Sequence, residues 1–412
     1  MNEKNNQDVS FALELRNFLD RISSLEISLP LVLSTLLLSR RKSEDKHNKF
    51  IKDNLKKTKN EEGKEIYYIG ELEKLITLEN LRKNVKNSRT AYEIIFNNFL
   101  VSLVSQFDAF MGSLIKAIFY AKPEILNASE KSLTFSQLLN FSDLNETKEF
   151  IIEKEVESVL RNSHSDQIKW LSTRLNLPLT KDLKIWPQFI ELTERRNLFV
   201  HCDSKVSSQY IQICKSHDYE FKEIPIIGKK ININKDYFKN SYRCLFEFAT
   251  KLVHVIWRKL IPDESDKAEM SLNDISYDLI LQKEYDLAIE ILIFATETIK
   301  DHSDEKIKLF MLINKAQAFK WKGDQEKCNE ILNSVDWNAK CDVLQLGNFT
   351  LKNDLENSLK LMEKIGIKSD DINKAAYKEW PLFTDLRKEQ KFIDTYEKIF
   401  NEKYEIIGEK EL

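Results

Sequence analysis

At 412 residues, 42% hydrophobic and 31% charged, the chain has the make-up of a soluble globular protein with room for two or three domains. Eight glycines and seven prolines are few for this length, so long helices joined by short loops are expected. The five cysteines, Cys202, Cys214, Cys244, Cys328 and Cys341, are an odd number with no C-x-x-C pair; this argues against a disulfide framework or a zinc site and for reduced thiols.

The polar N-terminus carries no signal-peptide pattern, and a cytoplasmic location is expected. Residues 8–40 read as two helices. The apolar run ISLPLVLSTLLLS (27–39) contains a proline and is too short to span a bilayer, so a buried helix and no membrane partner are expected. The charged stretch 40–65 is basic up to Asn60 and reads as a mobile connection or a solvated helix. Residues 88–126 have the pattern of a central core helix, with Ser88 as N-cap and Pro123 marking its end. Its apolar residues fall on two stripes: Phe96, Leu103, Phe107, Phe110 and Leu114 on one, Val104, Met111, Ile115 and Ile118 on the other. Asp108 lies within the second stripe, where a carboxylate must find a partner or stay wet.

Further short helices are expected over 132–176, and one long helix over 183–217. Residues 219–238 alternate polar and apolar around Gly228, which predicts a small β-hairpin or extended excursion. An amphipathic helix over 240–261 closes this part. A proline and an acidic cluster at 260–270 then break the apolar pattern, and divide the chain into 1–87 (N-terminal helices and charged linker), 88–262 (helical bundle) and 263–412. The charge divides there too. Residues 263–412 hold 22 Lys and Arg against 32 Asp and Glu, a balance of −10, which leaves +7 of the total −3 for residues 1–262. A mildly basic front half suits a polyanionic partner.

The back half repeats one plan three times, over 281–299, 320–337 and 350–366. Each copy has a helix, a tight turn ending in Asp286, Asp324 or Asp354, and a second helix carrying a small residue, Ala288, Cys328 or Ser358. A small side chain lets paired helices approach closely. The pattern resembles degenerate tetratricopeptide repeats, with 373–400 as a terminal hairpin, and implies a protein or peptide partner on this half.

The segment TERRNLFVHCD (193–203) stands apart. Ile185, Phe189, Leu192 and Phe199 make one helical stripe with a step missing, and Arg196 occupies that step. A buried arginine must be paired, and Asp108 is the candidate. Arg195 lies off the stripe and suits the surface. Asn197 and His201 are four apart and so neighbours on one face. The remaining histidines read otherwise: His164 as a loop residue, His254 as a packed core histidine. No Walker A loop, G-x-G-x-x-G or H-E-x-x-H is present, so no cofactor and no metal are expected.

The residues Arg196 to His201, R-N-L-F-V-H, resemble the R-N-x-x-x-H signature of the HEPN superfamily (higher eukaryotes and prokaryotes nucleotide-binding domains). The resemblance covers about residues 88–260. It implies an all-α bundle that forms a homodimer through the motif helices, and a metal-independent endoribonuclease acting on RNA. Many members are toxins or abortive-infection effectors, while others are noncatalytic RNA-binding or scaffold modules. In that chemistry His201 serves as general acid or base, Arg196 neutralises the phosphate, and Asn197 orients a partner, with Asp108 and Arg195 in support.

Overall fold

The computed structural model describes residues 10–59, 65–128, 133–367, 369 and 372–405. The protein is all-α, with one small antiparallel strand pair among the described residues. The chain divides into two compact units, 1–249 and 250–412.

The first unit is built on two long antiparallel helices, α1 (Phe11–Asn54) and, after a hairpin, α2 (Leu72–Ala121). Ser10 caps α1 by accepting from the Leu13 amide at 3.4 Å. Where two helices were expected over 8–40, α1 runs unbroken through Pro30. Pro30 is exposed, on the side of the helix that faces solvent, where a missing backbone hydrogen bond is tolerated. Phe11, Leu15, Phe18, Leu19, Ile22 and Leu29 bury the inner stripe of α1. The 27–39 run is not the buried helix expected from its composition: Ile27, Leu31 and Leu38 are 65–68% exposed. The principal neighbour of α1 is α2, and one neighbouring helix covers only one face. By length and composition both α1 and α2 contain a stretch able to cross a membrane, so the shortness of the 27–39 run is not a bar.

The charged stretch 40–65, read as a mobile connection or a solvated helix, is a solvated helix over its first part, and its residues 60–64 lie outside the described residues. Residues 40–54 continue α1, and β1 (Lys56–Lys59) pairs antiparallel with β2 (Glu65–Tyr68), Lys59 opposite Glu65. Thr58, Ile66, Tyr67 and Tyr68 favour strand. Ser88 does not cap α2. With no proline from 71 to 122 and no glycine between Gly70 and Gly112, nothing stops the helix until Glu71, and Ser88 instead donates back to the Val85 carbonyl at 2.9 Å. The end at Ala121, two residues before Pro123, is where the sequence predicts it.

After α2 comes α3 (Phe135–Leu138), a short helix that buries no side chain; α4 (Leu144–Leu160), α5 (His164–Leu175), α6 (Trp186–His201) and the first part of α8 (Lys235–Leu260) pack on the C-terminal half of α2, and α7 (Ser208–Ser216) packs on α6. Phe107 is the hub: its ring meets Phe18 at 5.9 Å, Phe189 at 5.1 Å and Phe248 at 5.9 Å, and Phe189 stacks on Phe248 at 4.0 Å. Such rings contribute by buried area first and by geometry second. The expected long helix over 183–217 is broken after His201. Asp203 and Ser204 take left-handed φ of 51° and 63°, and the Ser204 amide bonds back to the Leu198 carbonyl at 3.0 Å. Residues 219–238 form no hairpin. Residues 219–234 run as the extended excursion, whose 228–231 part bonds to 204–206 with an isolated bridge Lys205–Lys230, because that loop offers the unpaired backbone groups, and 235–238 already belong to α8.

The second unit contains three helical hairpins: α9 (Ser265–Leu281) with α10 (Tyr285–Ile293), α11 (Glu305–Lys322) with α12 (Gln325–Asn333), and α13 (Asp342–Leu351) with α14 (Leu355–Ile365). Their turns share one geometry. Lys283, Gly323 and Asn353 each adopt a left-handed φ, of 61°, 98° and 61°. The next residue, Glu284, Asp324 or Asp354, bonds its amide at 2.9 Å to the carbonyl of Leu279, Phe319 or Phe349. Asp324 and Asp354 then cap the second helix; Glu284, not Asp286, stands at the equivalent place in the first hairpin. Ala288, Cys328 and Ser358, each four residues beyond, are fully buried where the hairpin arms meet. α15 (Lys374–Glu379) and α16 (Gln390–Phe400) end the unit, burying Tyr377, Phe383 and Phe392.

The left-handed turn gives a stability prediction. Gly323→Ala meets no neighbouring atom within 4 Å, so its cost is backbone conformation alone, about 1–2 kcal/mol. Asn353→Gly should be neutral or stabilising by about 0.5 kcal/mol. Urea unfolding of the full chain measures both, and an unchanged midpoint for Gly323→Ala would show that the turn is not held left-handed.

Candidate functional site

The site is assembled by three helices around one carboxylate. Arg196, in the middle of α6, projects from the stripe that carries Phe189 and Leu192 into the core. Its Nη2 donates to Asp108 Oδ2 of α2 at 2.8 Å, with the arginine side chain 17% exposed. The other Asp108 oxygen, Oδ1, lies 2.7 Å from His164 Nε2. An ionised carboxylate can only accept, so with Asp108 charged His164 carries its proton on Nε2. His164 is not a loop residue: it is the first residue of α5, capped by Ser163, and is buried with its ring 6.0 Å from those of Phe107 and Phe189. Asp108 is thus held at both oxygens by residues 32 positions apart.

Asn197, the next residue on α6, donates its amide to Glu194 Oε1 at 3.3 Å. Burial raises the Glu194 carboxyl above its ordinary range, against the lowering pull of Asn197 and of the nearby His164 and Arg196. His201 ends α6 and is exposed. In a helix it is turned about 140° from Arg196, yet both line one open cavity of about 530 Å³. Asp108, His164, Glu194 and Asn197 share that lining. The cavity therefore brings together two histidines, an arginine, two carboxylates and an amide: groups able to move protons and to neutralise an anion.

Arg195 is not a surface residue, because its helix position faces α7 and α8. It sits in a second buried network around Glu191, whose Oε1 accepts from Arg195 Nε at 2.6 Å and from the Tyr210 hydroxyl at 2.5 Å. Glu191 Oε2 accepts from Tyr237 at 2.6 Å, and the Arg195 guanidinium lies 4.1 Å over the Tyr237 ring. Burial first, and the Glu191 charge second, push the Tyr210 and Tyr237 phenols far above their usual range, which keeps both as donors. This network ties α6 to α7 and α8. Glu191, His164 and Tyr237 were not singled out from sequence. The Glu191–Arg195 step of four was visible as a helical pair, and the serine before His164 as a cap, but their burial depends on neighbours distant in the chain. Among the described residues no three His, Cys, Asp or Glu side chains converge as a metal site requires.

Glu191 is 3% exposed and is the acceptor for three donors, so removing it strands the Arg195 charge. Glu191→Ala should cost about 3–5 kcal/mol and Glu191→Gln, which keeps an acceptor, clearly less. Thermal and urea unfolding of both variants tests this, and wild-type stability in Glu191→Ala would contradict the assignment.

Neither protein-family models, curated proteins nor solved structures yield a match to this chain, so the reading of the site rests on its own residues and geometry.

Proposed function

We propose that the first unit is a HEPN-type, metal-independent endoribonuclease. The observation that supports this most is that Arg196, Asn197 and His201 of the R-N-x-x-x-H helix line one cavity, with Arg196 oriented by Asp108. RNA carries its own nucleophile. His201 takes the proton from the 2′-hydroxyl, O2′ bonds to phosphorus, and the P–O5′ bond breaks as O5′ gains a proton. Arg196 neutralises the charge on the non-bridging oxygens. The products are a 2′,3′-cyclic phosphate and a 5′-hydroxyl.

On this reading the exposed His201 at the end of α6 faces a second copy of the chain. A homodimer through residues 88–260 joins two motifs in one cleft, and the partner copy supplies the group that protonates the leaving oxygen. The second unit is then a tetratricopeptide-like array whose acidic balance repels RNA and whose hairpins bind a protein or peptide partner that controls the nuclease. The setting is the cytoplasm, and the role is that of a toxin or an abortive-infection effector against phage.

A noncatalytic reading draws on one observation. Arg196 and Asn197 are each already engaged by a carboxylate, Asp108 and Glu194, as in a site built to fix an interface. Turnover separates the two. Purified wild type should cleave RNA in the presence of EDTA, and His201→Ala and Arg196→Ala should each lower the rate at least about 100-fold while the protein remains folded. Full activity in both variants, or activity lost on chelation, rejects the nuclease mechanism. No cleavage by the wild type, with an intact dimer by light scattering, supports the scaffold.

A further inference from the structure

The hairpin made by α1 and α2 carries a surface that the proposed chemistry does not use. At about 100° per residue, Leu31, Leu38, Lys42 and Lys49 of α1 fall within roughly 20° of one direction, and Ile27, Lys46 and Lys52 within roughly 60° of it. All seven are exposed. One face of one helix is therefore aliphatic from 27 to 38 and lysine-rich from 42 to 52, with Asp45 and Asp53 as its acids. Ile94 of α2, 45% exposed, is a further aliphatic side chain open to solvent on this hairpin. The basic part continues into the strands: residues 40–59 hold nine Lys and Arg against three Asp and Glu. The most apolar 18-residue stretch of α1 is only 11% buried.

We propose that this face docks on the surface of a bilayer containing anionic phospholipids. Exposed leucine and isoleucine side chains enter the acyl boundary, and the adjoining lysines meet the headgroup charge; each alone binds weakly, and the two together anchor. The combination favours lipid over other occupants. An RNA backbone would use the lysines but gives Ile27, Leu31 and Leu38 nothing to bury against. A second copy of α1 would cover the aliphatics, but Ser34 interrupts the seam, and a parallel copy would set the two lysine runs against each other. The proposal does not depend on the nuclease reading.

The test is co-sedimentation of the full chain with vesicles of phosphatidylcholine alone and of phosphatidylcholine with one quarter phosphatidylglycerol. Wild type should bind the anionic vesicles at least about tenfold better, with binding falling as salt rises. Leu31→Glu/Leu38→Glu and Lys42→Glu/Lys46→Glu/Lys49→Glu should each reduce that binding about tenfold or more. All five positions are exposed, and circular dichroism checks that both variants keep the wild-type fold. The proposal is overturned by wild type that ignores anionic vesicles, or by binding that either folded variant retains. It is equally overturned if the leucine variant turns a dimer into a monomer without a change in vesicle binding, or if the lysine variant loses RNA affinity and keeps its lipid affinity.

Discussion

A charge placed in the apolar stripe of a helix is the constraint around which the first unit is organised. Arg196 occupies a position where α6 otherwise buries Phe189 and Leu192, and a guanidinium taken out of water is tolerable only against an anion. Asp108 meets that need from α2, and it too interrupts an apolar stripe. The two interruptions match in space, so the pair specifies how α6 sits along α2. His164 then fixes the remaining carboxylate oxygen and draws the start of α5 to the same point. Three helices thus converge on two oxygens, and the cavity beside them inherits its polar lining from that convergence.

A second set of buried charges also holds α6. Glu191 gathers Arg195, Tyr210 and Tyr237, drawn from α6, α7 and α8. Removing either network leaves a buried charge without its counterpart, which costs more than losing an apolar contact of the same size. Between the two, the aromatic group around Phe107 supplies the area-driven part of the stability. A rigid helix tied both to an acid and to a buried network is a suitable mount for residues that must hold fixed positions against a substrate.

Much of this was legible from residue order. The scarcity of glycine and proline foretold the all-α character, the apolar stripes marked α2 as the core helix, and an arginine at a missing apolar step pointed to Asp108. The failures have physical causes. Pro30 suggested a break between two helices, but a proline facing water need not end one. Ser88 looked like a cap, yet a serine inside a helix can satisfy its hydroxyl on its own backbone. The alternation at 219–238 allowed a hairpin or an extended excursion, and the loop after His201, by offering its backbone groups, decided for the second. His164 was passed over because its burial depends on Phe107, Phe189 and Asp108, all distant in sequence. The repeated turns of the second unit were visible as a pattern, but the residue at the cap, Glu284 in place of Asp286, emerges only from backbone dihedrals.

In the proposed nuclease a positioned arginine and a histidine at a helix end act together in RNA cleavage through the 2′-hydroxyl. The most direct measurement is the identity of the new ends when the purified protein cuts a labelled RNA in EDTA. The proposed chemistry yields a 2′,3′-cyclic phosphate and a 5′-hydroxyl, and a substrate with 2′-deoxy residues should resist cutting. A 5′-phosphate with a 3′-hydroxyl, or equal cutting of the deoxy substrate, would contradict it.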